Sequence, residues 1–170
     1  MRRISLYYTS ISYYESIKLI FYSFLVLFLK SGNQSKYKKR FEKYWTENIG
    51  GRASLCTPTA RAGLYALLKS WNIKDGDEVL VTGFTCSAVP EPIILNGAKP
   101  VYVDIDKNTF CMDLAKIKKS INAKTKCIIV QHTFGISAEV SRICKIAKSN
   151  NIKVIEDCAL ALGSKKDKKF

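Results

Sequence analysis

The feature that most constrains the fold is a regular alternation, from residue 60 onward, of amphipathic helical segments with short apolar strands. The expected helices lie at 60–70, 88–95, 113–120 and 138–150, and the expected strands at 78–82, 100–103, 126–130 and 152–155. Such alternation requires crossover connections, which join parallel strands and place helices on both faces of one sheet. The strands are nearly all apolar, as doubly covered strands are. The sequence therefore predicts an α/β fold with a mainly parallel sheet and helices on both faces.

The N-terminal 36 residues are expected to form an arm with an apolar helix and a linker, ahead of a main domain at 37–170. The apolar run at 19–29 is about half of the ~20 residues that a membrane-spanning helix needs. A signal peptide would place its apolar region nearer the basic start and follow it with a small-residue cleavage site. We therefore expect a helix that docks on the main domain or on a second subunit. Contact with a membrane surface through residues 17–30 is the alternative.

Composition narrows the classes of partner. The chain carries 28 Lys+Arg against 14 Asp+Glu, a formal net charge of +14. This charge favours an anionic partner, although a general lysine bias over a solvated surface would give the same balance. The basic runs lack the aromatic and glycine patterns of nucleic-acid modules, so we expect no nucleic-acid binding. The six cysteines form no CxxC pair and no zinc-spaced set with the single histidine, which predicts reduced thiols, no metal site and a cytoplasmic protein.

Two junctions carry candidate ligand chemistry. At residues 57–63, small residues open a helix behind the expected cap Thr59, and the free backbone N–H groups of such a helix start accept a phosphate. A plain capped helix would have the same sequence. Near the other end of the domain, a strand delivers Glu156 and Asp157 to the carboxyl edge of the sheet, where open α/β sheets bind ligands. Either carboxylate could instead cap the following helix.

Short motifs continue in a fixed order from about residue 41 to the end. They are Thr59-Ala60-Arg61-Ala62-Gly63-Leu64, Asp75-Gly76-Asp77-Glu78-Val79, Gly83-Phe84-Thr85-Cys86, Gly97-Ala98-Lys99-Pro100-Val101-Tyr102-Val103-Asp104, Gln131-His132-Thr133-Phe134-Gly135 and Val154-Ile155-Glu156-Asp157-Cys158-Ala159. In this order and spacing, the chain resembles the DegT/StrS family of pyridoxal-phosphate-dependent sugar aminotransferases, which have the aspartate-aminotransferase type I fold.

The resemblance implies a role for each candidate residue. Asp157 would pair with the pyridine nitrogen of pyridoxal 5'-phosphate, and the backbone amides of Ala60 and Arg61 would hold its phosphate. Cys86 would lie against the face of the pyridine ring. The implied reaction transfers an amino group from an amino acid such as glutamate to a keto sugar attached to a nucleoside diphosphate. The family usually works as a homodimer with its site at the subunit interface.

The chain also departs from the family pattern. Cys86 stands where an aromatic ring is usual, Leu160 where a Gln or His reaches the cofactor's phenolic oxygen, and Ala60-Arg61 where Gly-Thr is frequent. The family's Schiff-base lysine, in a Ser-Phe-x-x-x-Lys context, would lie beyond Phe170. We therefore expect 37–170 to be an incomplete cofactor-binding domain that is inactive by itself. The alternatives are a non-catalytic remnant that binds a full-length homologue, and a membrane-surface protein.

Overall fold

The computed structural model describes residues 13–29, 34–49, 52–162 and 164. The chain divides into two compact units, Met1–Ser54 and Leu55–Phe170. Lys165, Lys166, Lys168 and Lys169, near the C-terminal end, lie outside the described residues.

The described part of the first unit contains two helices. Helix α1 spans Tyr13–Leu29 and helix α2 spans Gln34–Asn48. The described side chains of α1 include six large apolar ones that are exposed, at positions 17, 19, 20, 21, 22 and 24. Within the described ranges, no helix combines the length and the apolar character needed to cross a bilayer. Docking of α1 and its contact with a membrane surface stay predictions.

The second unit follows the predicted alternation. Its elements are α3 (Ala60–Ser70), β1 (Glu78–Thr82), α4 (Pro90–Leu95), β2 (Lys99–Val103), α5 (Leu114–Ser120), β3 (Thr125–Gln131), a 3₁₀ turn (Thr133–Gly135), α6 (Val140–Ser149) and β4 (Lys153–Asp157). Helix α4 starts at Pro90 because proline needs no N–H bond in the first turn. The predicted elements are therefore confirmed to within about two residues, apart from the longer β4.

The four strands form one parallel sheet in the order β2-β1-β3-β4. Strand β3 pairs with β4 in a continuous register that ends with Gln131 opposite Asp157. The sequence predicts that the last strand ends at Ile155, but Glu156 and Asp157 belong to β4. The reason is that the ladder is made by backbone groups, which pair irrespective of side-chain polarity.

Each face of the sheet buries a separate apolar cluster. On one face, Leu80, Ile128 and Val130 pack with Ile117 of α5 and Ile143 of α6. The opposite face holds the other strand residues, which pack with α3 and α4: Val79, Val81, Cys127 and Ile129, with Leu68 and Ile93. This arrangement confirms the predicted α/β sheet with helices on both faces, and it fixes which face each strand residue presents.

Candidate cofactor-binding site

The start of helix α3 is built as an anchored, open turn. Thr59 has an extended backbone (φ −145°), and its Oγ1 accepts the N–H of Ala62 at 3.1 Å. The Thr57 hydroxyl donates to the carbonyl of Thr59 at 2.9 Å. The amides of Ala60 and Arg61 donate to no described residue. Two first-turn N–H groups are therefore left for an acceptor, and the helix dipole favours an anionic one.

Gly63 lets the preceding loop close over this turn. A Cβ at position 63 would lie 2.9 Å from Thr57 Oγ1, closer than real Cβ contacts come. A side chain here would push Thr57 away from the carbonyl that it contacts. The glycine is thus explained by a close approach, since its backbone is ordinary helix.

The topology brings the start of α3 to the carboxyl edge of the sheet. Helix α3 ends at Ser70 and β1 begins at Glu78, so the end of the helix adjoins the amino end of the strand. The first turn of α3 then lies toward the opposite edge, where parallel strands end. Leu64 and Leu68 of α3 pack on the sheet face that presents Val79, Val81, Cys127 and Ile129.

Asp157 lies on that same face and at that same edge. It is the last residue of β4, and Ile155, two residues earlier, packs in the cluster that contains α3. Since side chains alternate along a strand, Asp157 points to the α3 side and Glu156 to the other. One oxygen of Asp157, Oδ1, accepts the N–H of Ala159 at 3.0 Å. No described cation pairs with Asp157, so its second oxygen is open to a donor from a ligand.

Cys86 lies exposed in the loop between β1 and α4. Its neighbour Thr85 donates to Gln131 Oε1 at 2.6 Å, and Gln131 stands opposite Asp157 in the β3–β4 ladder. This bond ties the loop that carries Cys86 to the strand end beside Asp157. The topology therefore places the start of α3, the Cys86 loop and Asp157 at one edge of the sheet.

Arg61 has a partner that the sequence did not predict. Its guanidinium Nη1 lies 3.0 Å from Glu91 Oε2 of helix α4, with both side chains about half exposed. An exposed pair of this kind contributes at most about 1 kcal/mol. Its importance is positional, because the side chain of Arg61 is directed toward α4 while its backbone N–H remains in the first turn.

His132 connects the ends of β3 and β4. Its Nδ1 accepts the N–H of Ala138 at 3.0 Å, so Nδ1 carries no proton. The proton is then on Nε2, which donates to Glu156 Oε1 at 2.7 Å. The backbone N–H of His132 donates to the carbonyl of Asp157 at 3.1 Å.

The hydrogen bonds of His132 disfavour a metal site formed by His132, Glu156 and Cys158. Donor atoms of His132, Glu156 and Cys158 all lie within 4.8 Å of one another. A metal at Nε2 would require the proton to move to Nδ1, where it would face the N–H of Ala138. The arrangement therefore fits a hydrogen-bonded histidine–carboxylate pair better than a metal site.

Cys158 is exposed as a residue, but partial burial of its thiol, with added repulsion from Glu156 and Asp157, raises the thiol pKa. The thiol is thus less ionised at neutral pH than a free cysteine and is poorly suited to nucleophilic work. Burial raises the pKa of Cys127 to about 12, as for a cysteine used as a small apolar residue. Leu160, at the position where the family has a polar side chain, is exposed.

Three phenylalanines tie the loops around the site together. Phe84, Phe110 and Phe134 lie with ring centroids 6.0–6.3 Å apart. Phe110 and Phe134 have left-handed backbones, with φ of 57° and 54°, which is costly for an aromatic residue. Aromatic contacts of this size are worth about 1 kcal/mol each and help hold these turns.

The sequence predicts site roles for Ala60, Arg61, Cys86 and Asp157 but assigns none to their neighbours Thr85, Glu91, Gln131 and His132. Thr85, Gln131 and His132 stand within the family motifs, yet no role follows from the motifs alone. The place of His132 directly after a strand, next to Gln131, was a usable signal for a site at the sheet edge.

Comparison with solved structures gives the class of protein. NtdA from Bacillus subtilis, solved with bound cofactor PMP, matches with a TM-score of 0.73 and 32% identity over 78% of this chain and 30% of that one. The fold is that of the pyridoxal-phosphate aminotransferases.

The sequence profile of the DegT/DnrJ/EryC1/StrS aminotransferase family matches residues 26–170. The chain belongs to this family, whose cofactor is pyridoxal phosphate. GDP-perosamine synthase from Escherichia coli O157:H7 is 34% identical over 81% of the chain and 38% of its own length. The dTDP-3-amino-3,6-dideoxy-alpha-D-galactopyranose transaminase of Aneurinibacillus thermoaerophilus is 35% identical over 81% of the chain and 37% of its own length. The chain thus spans a little over a third of these relatives.

Proposed function

We propose that this chain provides the cofactor cradle of a pyridoxal-phosphate-dependent aminotransferase that acts on a keto sugar linked to a nucleoside diphosphate. An amino acid such as glutamate is the amino donor, and the protein works as a cytoplasmic homodimer. One observation carries this proposal. The open first turn of α3 and the unpaired oxygen of Asp157 lie on the same face and at the same edge of one parallel sheet.

The donor set fits the two polar ends of the cofactor. A phosphate needs N–H donors and positive potential, which the amides of Ala60 and Arg61 supply at the helix start. A protonated pyridine nitrogen needs an anionic acceptor, which the free oxygen of Asp157 supplies. Cys86, on the loop tied to Gln131 by Thr85, would cover the ring face, with less contact area than the usual aromatic.

In the reaction, the residues of this chain orient the cofactor and set the protonation of its ring nitrogen. When bound, the cofactor supplies an electron sink for the pair released as the donor's Cα proton leaves. Asp157 keeps the proton on the ring nitrogen, because a carboxylate beside that nitrogen favours its charged form. The first turn of α3 fixes the other end of the ring system by its phosphate, which prevents rotation away from Asp157.

The strand lysines do not serve this site as a covalent anchor. Lys99 and Lys153 begin β2 and β4, and Lys126 is the second residue of β3, all at the amino edge of the sheet. We therefore expect none of these three lysines to bind the cofactor covalently. Borohydride treatment of the chain with pyridoxal phosphate should leave Lys99, Lys126 and Lys153 without stoichiometric label.

The direct test measures binding of pyridoxamine phosphate, which needs no lysine. Asp157→Asn should weaken its affinity about 10- to 100-fold, the size of a lost charge-assisted hydrogen bond. Asp75→Asn, in the turn at the amino edge, is the matched control and should change nothing. Pyridoxamine without its phosphate should bind much more weakly than pyridoxamine phosphate. Equal binding of the two compounds, or no effect of Asp157→Asn, would refute the assignment.

A further inference from the structure

The His132–Glu156 pair lies on the sheet face opposite the proposed ring contact. Glu156 projects to the α5–α6 side, whereas Asp157 projects to the α3 side. His132 is buried, with 6% of its surface exposed. Both ring nitrogens of His132 are hydrogen-bonded, and its backbone N–H bonds to β4. These bonds hold the residue in one position.

His132 holds two consecutive residues of β4 by different groups. Its backbone N–H holds the carbonyl of Asp157, and its ring Nε2–H holds the side chain of Glu156. Together these bonds fix the rotation of β4 about its axis at its last two residues. The direction of the Asp157 side chain depends on that rotation.

We propose that His132 is a positioning residue for Asp157: by binding Glu156 on one face of the sheet, it directs the carboxylate of Asp157 to the cofactor on the other. This inference rests on the proposed function, since it concerns the same ring contact. Ala138 contributes to this positioning, because its N–H bond to Nδ1 selects the histidine tautomer that donates to Glu156. The network acts by orienting Asp157 and makes no contact with the ligand, as do the residues that hydrogen-bond to metal-binding histidines.

Replacing His132 by Asn or by Gln distinguishes the contributions of its two ring nitrogens, Nδ1 and Nε2. In His132→Gln, the side-chain amide can reach the position of Nε2 and still donate to Glu156. In His132→Asn, the shorter side chain can replace only the Nδ1 acceptor for Ala138. Glu156→Ala removes the partner itself. Glu78→Gln is the matched control, because Glu78 accepts a 2.7 Å bond from Asn122 at the amino edge of the sheet.

Two readouts are measured on the whole chain. The first is the amide resonance of Ala159, which reports the orientation of Asp157 through their 3.0 Å bond without any cofactor. The second is binding of ¹⁵N-labelled pyridoxamine phosphate, with the pH at which its ring nitrogen loses its proton. We expect His132→Asn and Glu156→Ala to shift the Ala159 resonance, weaken binding about 10-fold and lower that pH. His132→Gln and Glu78→Gln should resemble the unmodified chain.

The outcomes distinguish this inference from the proposed function. If the chain binds pyridoxamine phosphate through Asp157 but His132→Asn and Glu156→Ala change only the thermal unfolding temperature, His132 is merely structural and the inference falls. If the chain binds no pyridoxamine phosphate, the proposed cofactor role falls, and the link from His132 to Asp157 is judged by the Ala159 resonance. An unchanged resonance in both variants overturns the positioning role in either case.

Discussion

Replacing Thr59 by alanine tests whether the cap of α3 also serves the phosphate. The substitution removes the 3.1 Å bond from Ala62 N–H to Thr59 Oγ1, which satisfies one of the first-turn donors. Loss of a threonine cap costs about 1 kcal/mol, and the first turn then frays. Because a phosphate would have to reorder that turn on binding, the affinity for pyridoxamine phosphate should fall by up to about 5-fold. Urea unfolding should shift to lower concentration by about 0.5 M.

A second cap provides the matched control. Asp113 caps helix α5, with Oδ1 accepting the N–H of Ala115 at 2.7 Å and of Lys116 at 3.4 Å. Asp113→Ala should therefore cost similar stability without changing the affinity for pyridoxamine phosphate, and Thr59→Ser should restore both quantities. The measurements are urea unfolding by circular dichroism and titration calorimetry. If the two alanine variants weaken binding equally, or if Thr59→Ala destabilises the chain but leaves binding intact, the start of α3 is not the phosphate site.

Two further predictions concern reactivity and packing. Partial burial and the charges of Glu156 and Asp157 raise the pKa of the Cys158 thiol. Iodoacetamide should therefore alkylate Cys158 more slowly than it alkylates glutathione near pH 8, at a rate that rises with pH. Asp157→Asn should speed the reaction, whereas a Cys158 rate equal to the glutathione rate in the unmodified chain would contradict the argument. Ile128 is fully buried in the sheet, so Ile128→Ala should lower the free energy of unfolding by about 3 kcal/mol in urea. Ile94, exposed by 59%, gives the control substitution Ile94→Ala, which should cost less than about 0.5 kcal/mol; similar costs at the two positions would contradict the assigned core.

The sequence predicts those parts of the fold that depend on local patterns. Mostly apolar segments of four or five residues, alternating with amphipathic helices, are sufficient to predict a parallel sheet covered on both faces. The cap at Thr59 was predictable for the same reason, since a capping threonine acts within its own turn. The end of β4 was predicted too early because a Glu-Asp pair resembles the start of a loop, whereas pairing with Val130 and Gln131 extends the strand.

Contacts between distant segments could not be predicted in the same way. The bond from His132 to Glu156 joins residues 24 positions apart, and the ion pair of Arg61 with Glu91 joins two helices. Neither pair has a local pattern. The first forms only after the crossover through α6 has placed β4 beside β3, and the second only after α3 and α4 have packed on the same face of the sheet. The tautomer of His132 depends further on the N–H of Ala138, a backbone group that carries no sequence signal.

The packing of β4 decides which of its two carboxylates faces the proposed cofactor site. Glu156 and Asp157 are adjacent in sequence, and a one-residue slip of β4 would exchange the faces on which they lie. The slip is opposed by the core, since Val154 packs on the α5–α6 side and Ile155 on the α3–α4 side. The carboxylate that faces the proposed cofactor site is therefore set by apolar residues two positions earlier in the strand, and the bonds of His132 hold the same register at its end. Substitutions of Val154 or Ile155 that loosen this register should impair the ring contact without touching any polar residue of the site.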